Sequence, residues 1–152
     1  ASASGYTKCR QIGWIFYNAA GSIQPFIQNA ANPDRVEWSS TINDLNVNPT
    51  LTTQVDFAVT APTGAYVNAN FLIRDSGASG FKYVTFAPKD KVIPTPSDIT
   101  CNFWTEASAD AAGSFMQIRT NASRLISYRC SSTGTDLLLC NTVGFDYYRE
   151  KQ

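Results

Sequence analysis

Ala65-Tyr66-Val67-Asn68-Ala69-Asn70-Phe71-Leu72-Ile73-Arg74 alternates with the period of a β-strand. Val67, Ala69, Phe71 and Ile73 share one parity and Asn68 and Asn70 take the other, so one face is apolar and the opposite face carries amides. The stretch just upstream has the same form. From Leu51 to Val59, Leu51, Val55, Phe57 and Val59 stand against Thr52, Gln54 and Asp56. Ala61-Pro62-Thr63-Gly64 turns the chain between the two, which are expected to pair with each other.

Downstream the pattern continues. A Gly/Ser turn over Asp75–Gly80 leads to Phe81–Phe86, in which Phe81, Tyr83 and Thr85 alternate with Lys82, Val84 and Phe86. Ala87–Asp98 holds three prolines and the trio Lys89-Asp90-Lys91, the composition of a long surface loop with an edge segment at Val92-Ile93. Ile99–Thr105 reads as a strand with Ile99, Cys101 and Phe103 on one side and Thr100, Asn102 and Trp104 on the other. Ala-rich Glu106–Gly113 reads as a single helical turn. Phe115–Arg119, Leu125–Cys130 and Leu137–Val143 are further strands, the last two joined by Ser131–Asp136.

Upstream, Arg35–Trp38 is a short strand and Ser39–Thr50, dense in Asn and ending in Asn48-Pro49, reads mostly as loop. Tyr6–Gln28 reads as a β-hairpin turning at Asn18-Ala19-Ala20-Gly21, with Gly in the left-handed position. In its first arm Ile12, Trp14 and Phe16 fall on one face, and Ile15 and Tyr17 on the other. A strand apolar on both faces is one buried on both faces, and in a short chain the second cover can come from another subunit. Ala1–Gly5 is small and polar, as a linker is. The sum is roughly nine or ten short strands without a long amphipathic helix or a repeat of constant period. The expected fold is therefore all-β, a two-sheet β-sandwich of jelly-roll type spanning residues 6–152 as one domain.

Composition narrows the function. Twelve Lys and Arg balance twelve Asp and Glu, with no run of like charge, so the phosphate-neutralising patch of a nucleic-acid binder is missing. No stretch of 18 apolar residues occurs, so membrane insertion is not expected. Charged residues are only 16% of the chain, which suits polar uncharged loops on an extracellular or virion surface. Histidine is absent, and with it the proton relay of Ser-His-Asp and Cys-His mechanisms. Gly77-Ala78-Ser79-Gly80 lacks the Lys of a phosphate loop. Asp56, Glu106 and Asp110 offer carboxylates for glycoside cleavage, but solvated acids or turn caps are the ordinary reading of twelve acids in a β-domain. No catalytic residue, cofactor or metal site is expected. Cys9, Cys101, Cys130 and Cys140 lack zinc-site spacing, which leaves two states open. Either Cys130 and Cys140 join across a hairpin, or all four are small buried thiols, the commoner state.

Recognition residues are sought among exposed aromatics and amides. Trp38 and Trp104 offer flat faces for a sugar ring, and Asn43, Asp44, Asn46 and Asn48 offer hydrogen bonds to its hydroxyls. The competing reading is core or subunit contact for the aromatics and turn chemistry for the Asn-rich segment. Trp104 is favoured because its parity sets it opposite Ile99, Cys101 and Phe103. Lys89 and Lys91 join the set from their loop. Asn121-Ala122-Ser123 matches a glycosylation acceptor.

Both ends of the chain carry a resemblance. Arg10, Ile12-Gly13, Ile15, Gly21, Ile23, Phe26 and Gln28 resemble the opening of a terminal β-domain in tail-appendage and tail-fibre proteins of tailed bacteriophages. Gly144-Phe145-Asp146-Tyr147-Tyr148-Arg149 resembles the closing Gly-Trp-x-Asp segment of that family, with Phe for Trp, Asp one residue early and no Arg-rich run. The resemblance covers about the first thirty and last ten residues. It implies a non-enzymatic virion protein, assembled as a homotrimer, that attaches to a bacterial surface glycan or protein. The contact would be made by loops at the far end of the sandwich, Asn43–Asn48, Lys89–Asp98 and Glu106–Gly113. A virion knob that binds other virion proteins and a secreted carbohydrate-binding module are the alternatives.

Overall fold

The computed structural model describes residues 15–17, 20–28, 31–75, 81–105, 110–133 and 137–148. Among them are nine strands and no helix: β1 (Phe26–Gln28), β2 (Arg35–Val47), β3 (Val55–Ala58), β4 (Tyr66–Asp75), β5 (Lys82–Pro88), β6 (Phe103–Thr105), β7 (Asp110–Arg119), β8 (Leu125–Cys130) and β9 (Leu137–Asp146). They form two antiparallel sheets, β1-β2-β9-β4-β7 and β3-β8-β5-β6. The pairing is nested. Around the connection from β5 to β6, β5 pairs with β6, β4 with β7, β3 with β8 and β2 with β9. A long antiparallel ribbon is thus rolled up and closed by two further seams, β4 with β9 and β5 with β8. This is the jelly roll, with β1 added on an edge.

The inner faces meet in an aromatic core. Val67, Ala69, Phe71 and Ile73 of β4 are buried as their parity predicts, against Leu138, Cys140 and Phe145 of β9 and Val84 and Phe86 of β5. Phe86 lies at the centre, its ring centroid 4.4 Å from that of Phe71 and 6.0–6.4 Å from those of Phe57, Phe103 and Tyr128. Tilted and edge-on pairs of this kind add about 0.5–1.5 kcal/mol each beyond their burial.

On the outer face of the larger sheet, β9 carries Gly144 where it passes between Glu37 of β2 and Asn68 of β4. A Cβ there would stand 2.2 Å from the Val36 carbonyl oxygen and 2.9 Å from Glu37 Cα. Only glycine allows the two backbones to come that close. The residue before it, Val143, is the extra residue of a β-bulge against β4. Below the bulge Asp146 accepts from the amides of Asn68 (3.3 Å) and Gln117 (2.5 Å), and Gln117 also donates to Asn68 Oδ1 (3.0 Å). Three strands are tied there by one carboxylate.

Several local expectations are corrected. Leu51–Val59 does not pair with Ala65–Arg74, because β3 lies in the smaller sheet beside β8 and β4 in the larger one. Leu51 is exposed, and the strand starts only at Val55. Ser39–Thr50 is not mostly loop: β2 continues through it to Val47, absorbing its polar residues with two register shifts. Ile99–Thr105 is a strand only from Phe103, since residues 98–100 form a turn in which Thr100 Oγ1 accepts from the Ser97 amide. Asp110–Gly113 opens β7 instead of ending a helical turn. Val92-Ile93 is no edge segment, although Ile93 is buried beneath the loop. Of the two states left open for the cysteines, the free buried thiol holds for Cys130 and Cys140, and the hairpin that would join them does not form, because β8 and β9 lie in different sheets; Cys101 is free and half-buried. At the first hairpin Tyr17 is bridged to Ile23, the Gln24 amide donates to Phe16 oxygen at 2.7 Å and Gly21 stands at φ +75°, while Asn18 and Ala19 of the expected turn lie outside the described residues. The linker Ala1–Gly5, Cys9, Ile12, Trp14 and Glu106–Ala109 lie outside the described residues.

Two outcomes test the packing. Gly144→Ala is expected to lose about 3 kcal/mol of stability, since the atoms in the way are backbone and cannot rotate aside, and a denaturant midpoint shifted down at unchanged slope would show it. Burial pushes the Cys130 and Cys140 thiols up to about 12. At pH 8 only about one in 10⁴ would be thiolate, so native protein should resist iodoacetamide at both while denatured protein is labelled, as peptide mass spectrometry would read.

Candidate functional site

Two surface features carry polar or aromatic groups that one protomer does not use up. The first grows from the smaller sheet. β6 alternates Phe103 in, Trp104 out, Thr105 in, and the exposure of Trp104 (51%) fits the parity read from the sequence. Trp104 sits directly opposite Tyr83 of β5, so the two side chains leave the same face. Phe81, two residues before Tyr83, is exposed and stacks on it with centroids 6.2 Å apart and planes 14° apart. The result is a strip of three rings on the outer face. The strand edge beneath it is held by reciprocal bonds between Tyr83 and Ser131.

The second feature is a cleft of about 300 Å³ where the first hairpin crosses the larger sheet. Its apolar walls are Phe16, Ile42, Ala58 and Val59, its lip carries Tyr17 and Gln24, and Asp44, Thr60 and Arg124 supply polar groups. Asp44 is the extra residue of a β-bulge in β2, since Asn43 pairs with Asn141 and Leu45 with Cys140. The bulge lets Asn43 face solvent and Leu45 face the core although they are two residues apart, and it turns the Asp44 carboxylate toward the interior. There it accepts from the Thr60 amide (2.8 Å), the Thr60 hydroxyl (2.7 Å) and the Thr142 hydroxyl (2.5 Å). One side chain thereby joins β2, the connection after β3, and β9.

Arg124 enters from the turn between β7 and β8. Asn121 builds that turn, its side-chain oxygen accepting from the amides of Ser123 and Leu125 at 2.9 Å. The Arg124 carbonyl in turn accepts from the Val59 amide at 3.1 Å. Closing the turn puts Arg124 at φ +60°, the left-handed region that glycine and asparagine take most readily. Its guanidinium lies 5.5 Å from the Phe16 ring centroid, a cation–π distance.

The residues singled out from sequence are distributed unevenly. Trp38 is not a sugar platform: it is 7% exposed, donates its indole N–H to the Thr60 carbonyl (3.1 Å) and packs between Phe16 and Phe145. Asn43, Asp44 and Asn46 do not make a loop at the tip, because all three belong to β2; only Asn48 lies past its end. Asn43 donates to the Asn141 side chain at 2.8 Å, and Asn46 is exposed on the outer face opposite Leu139. Lys89 pairs with Asp56 at 2.5 Å. That ammonium, with the Ser127 hydroxyl at 2.6 Å, holds the Asp56 carboxyl below its ordinary range. Lys91 is exposed, and its carbonyl accepts from Gln54, which also takes the Ile93 amide, so the loop is pinned rather than free. Trp104 alone of the eight joins an aromatic surface, and Asp44 alone lines the cleft.

Tyr17, Gln24, Phe81, Tyr83 and Arg124 were missed as site residues. The alternation of Phe81 and Tyr83 was legible, but that Trp104 stands across from them was not, because pairing between strands some twenty residues apart has no local signature. Comparison with protein-family models, curated proteins and solved structures finds no match to this chain.

Asp44→Ala would strand one buried and one half-buried threonine hydroxyl and an amide without their acceptor. The expected loss is about 2–3 kcal/mol, measured by thermal or denaturant unfolding, with Asp44→Asn falling between it and the parent.

Proposed function

We propose that this chain is a non-enzymatic attachment domain of a bacteriophage tail appendage, which holds a virion to a glycan on the bacterial surface. The observation that carries this reading is the strip of Phe81, Tyr83 and Trp104 on the outer face of a jelly roll, with Phe81 and Trp104 exposed and Tyr83 half-buried between them. Aromatic rings left in water on a flat sheet face are costly unless something covers them, and the C–H face of a sugar ring is a partner of the right shape. The sequence resemblance at both ends of the chain supplies the phage setting. Jelly rolls serve in viral capsids and lectins alike, so the fold is compatible with it without specifying it.

Assembly with copies of itself, as a trimer, belongs to the same reading. Its support is the side of the first hairpin turned away from Trp38, where Ile15, Tyr17 and Ile23 are exposed, with Ile27 of β1 close by in the chain. A second copy covering that side would bury a contiguous apolar patch. The same patch supports the competing role of a structural knob that binds other virion proteins.

Labelled protein applied to an array of bacterial surface polysaccharides is expected to bind a subset of them. Trp104→Ala should weaken that binding at least tenfold while leaving the unfolding midpoint within a degree or two, because the side chain is half in solvent. Binding that ignores the substitution, or none across the array, would turn the assignment toward the structural knob.

A further inference from the structure

We infer that the cleft between the first hairpin and the larger sheet is a second binding site, for a sugar ring bearing a carboxylate, such as a uronic acid residue of a surface polysaccharide. The inference deepens the attachment reading and rests on it for the source of the sugar.

Four features converge. The volume, about 300 Å³, lies at the lower end of ligand pockets, enough for one ring and not for a folded chain. One wall is apolar, made by Phe16, Ile42 and Ala58, and suits the C–H face of that ring. The polar groups are unequal in what they have left to give. Asp44 already receives three hydrogen bonds from within the protein. The guanidinium of Arg124 forms no ion pair among the described residues, where the two pairs are Arg35 with Glu37 and Lys89 with Asp56. The cleft therefore presents surplus donors at the Arg124 side, and a planar fork of N–H groups is matched by a carboxylate with two parallel bonds.

The backbone adds the fourth feature. An arginine at φ +60° is strained relative to glycine, which would make the same turn freely. The guanidinium is then steadied at the Phe16 ring, at the rim of the cleft. With the carboxylate of the sugar on Arg124, Gln24 and Asp44, which line the same cleft, are the polar side chains left to meet its hydroxyls. Binding would transfer no proton and break no bond.

The same backbone angle supplies a safe test variant. Arg124→Gly removes the guanidinium from a position that glycine fits better, so the protein should fold with an unfolding midpoint equal to or above that of the parent. A trigalacturonate, a neutral trisaccharide of equal length and glycerol phosphate are titrated into the full chain by calorimetry, with amide shifts followed by NMR. Trigalacturonate is expected to bind at least tenfold more tightly than either control, to shift Tyr17, Gln24 and Thr60, to weaken several-fold as salt rises, and to lose at least tenfold on Arg124→Gly. Arg124→Lys, which keeps the charge without the fork, should fall between.

Equal binding of the neutral sugar, tighter binding of glycerol phosphate, no binding of trigalacturonate, or binding unchanged by Arg124→Gly would each overturn the site. The polysaccharide array separates this failure from that of the attachment reading. If the array binds and Trp104→Ala abolishes binding while the cleft stays silent, attachment stands and the cleft falls. If neither binds, both fall.

Discussion

Everything in this molecule depends on the seam at which β9 enters between β2 and β4. Without it the chain is an open ribbon of nested strand pairs, with the apolar faces of β2 and β4 turned to water. With it, Leu138, Cys140, Thr142 and Phe145 become fully or nearly fully buried and the larger sheet closes over the smaller one. Antiparallel strands need close and regular backbone approach to exchange hydrogen bonds, and β9 has to meet that condition on both edges at once. Gly144 meets it at the tightest point by omitting a side chain, while the bulge at Val143 takes up the mismatch in register. Such a seam joins residues from Arg74 with Leu137 to Arg35 with Asp146, about 60 to 110 positions apart, so the loop-closure entropy is met only late in folding, as it is in other β-sandwiches.

The seam also places polar groups on both faces of the larger sheet. On the outer face Asp146 of β9, opposite Tyr66, reaches diagonally to Asn68 of β4, and Gln117 of β7, which stands opposite Asn68, donates to both. Thr142, on the inward side, is satisfied by Asp44 from the bulge in β2. Register shifts here do a structural job: they aim side chains that regular pleating would send elsewhere.

Strand content could be read from the sequence wherever one face is apolar and the other polar. The bounds of Leu125–Cys130 and the inward set of β4 follow from period-2 alternation alone. Alternation fails in β2, where two register shifts break the parity and Asn and Asp imitate turn chemistry. It also fails to say which strands pair, because in a rolled ribbon successive strands go to opposite sheets. Hence alternation matches Leu51–Val59 to Ala65–Arg74 although β3 pairs with β8, and it leaves a Cys130–Cys140 hairpin open although β8 and β9 lie in different sheets. The parity that sets Trp104 against Ile99, Cys101 and Phe103 places it outward correctly, although only Phe103 of the three is buried and Ile99, in the turn before the strand, is exposed; for Trp38 the sequence leaves core and sugar platform open, because the partners that bury it, Phe16, Thr60 and Phe145, come from three distant segments. The cleft was only half legible: Asp44 was singled out for the wrong reason, as a loop residue, and Arg124 gave no signal, since nothing in a sequence announces a positive φ at arginine.

The charge-poor surface bears on how such sites would work together. A domain with so few charges does not steer ligands over long distances, so recognition rests on short-range contact between rings, amides and single charges. Shallow aromatic strips and one-ring clefts bind weakly by themselves, because little area is covered and the sugar keeps much of its water. Weak sites become strong when several are held at fixed spacing, since after the first contact the next ones occur at a high effective concentration. On the attachment reading proposed above, the exposed side of the first hairpin would hold copies together, and assembly and recognition would be one problem: an apolar patch that one chain leaves open would let two modest sites per chain grip a repetitive surface.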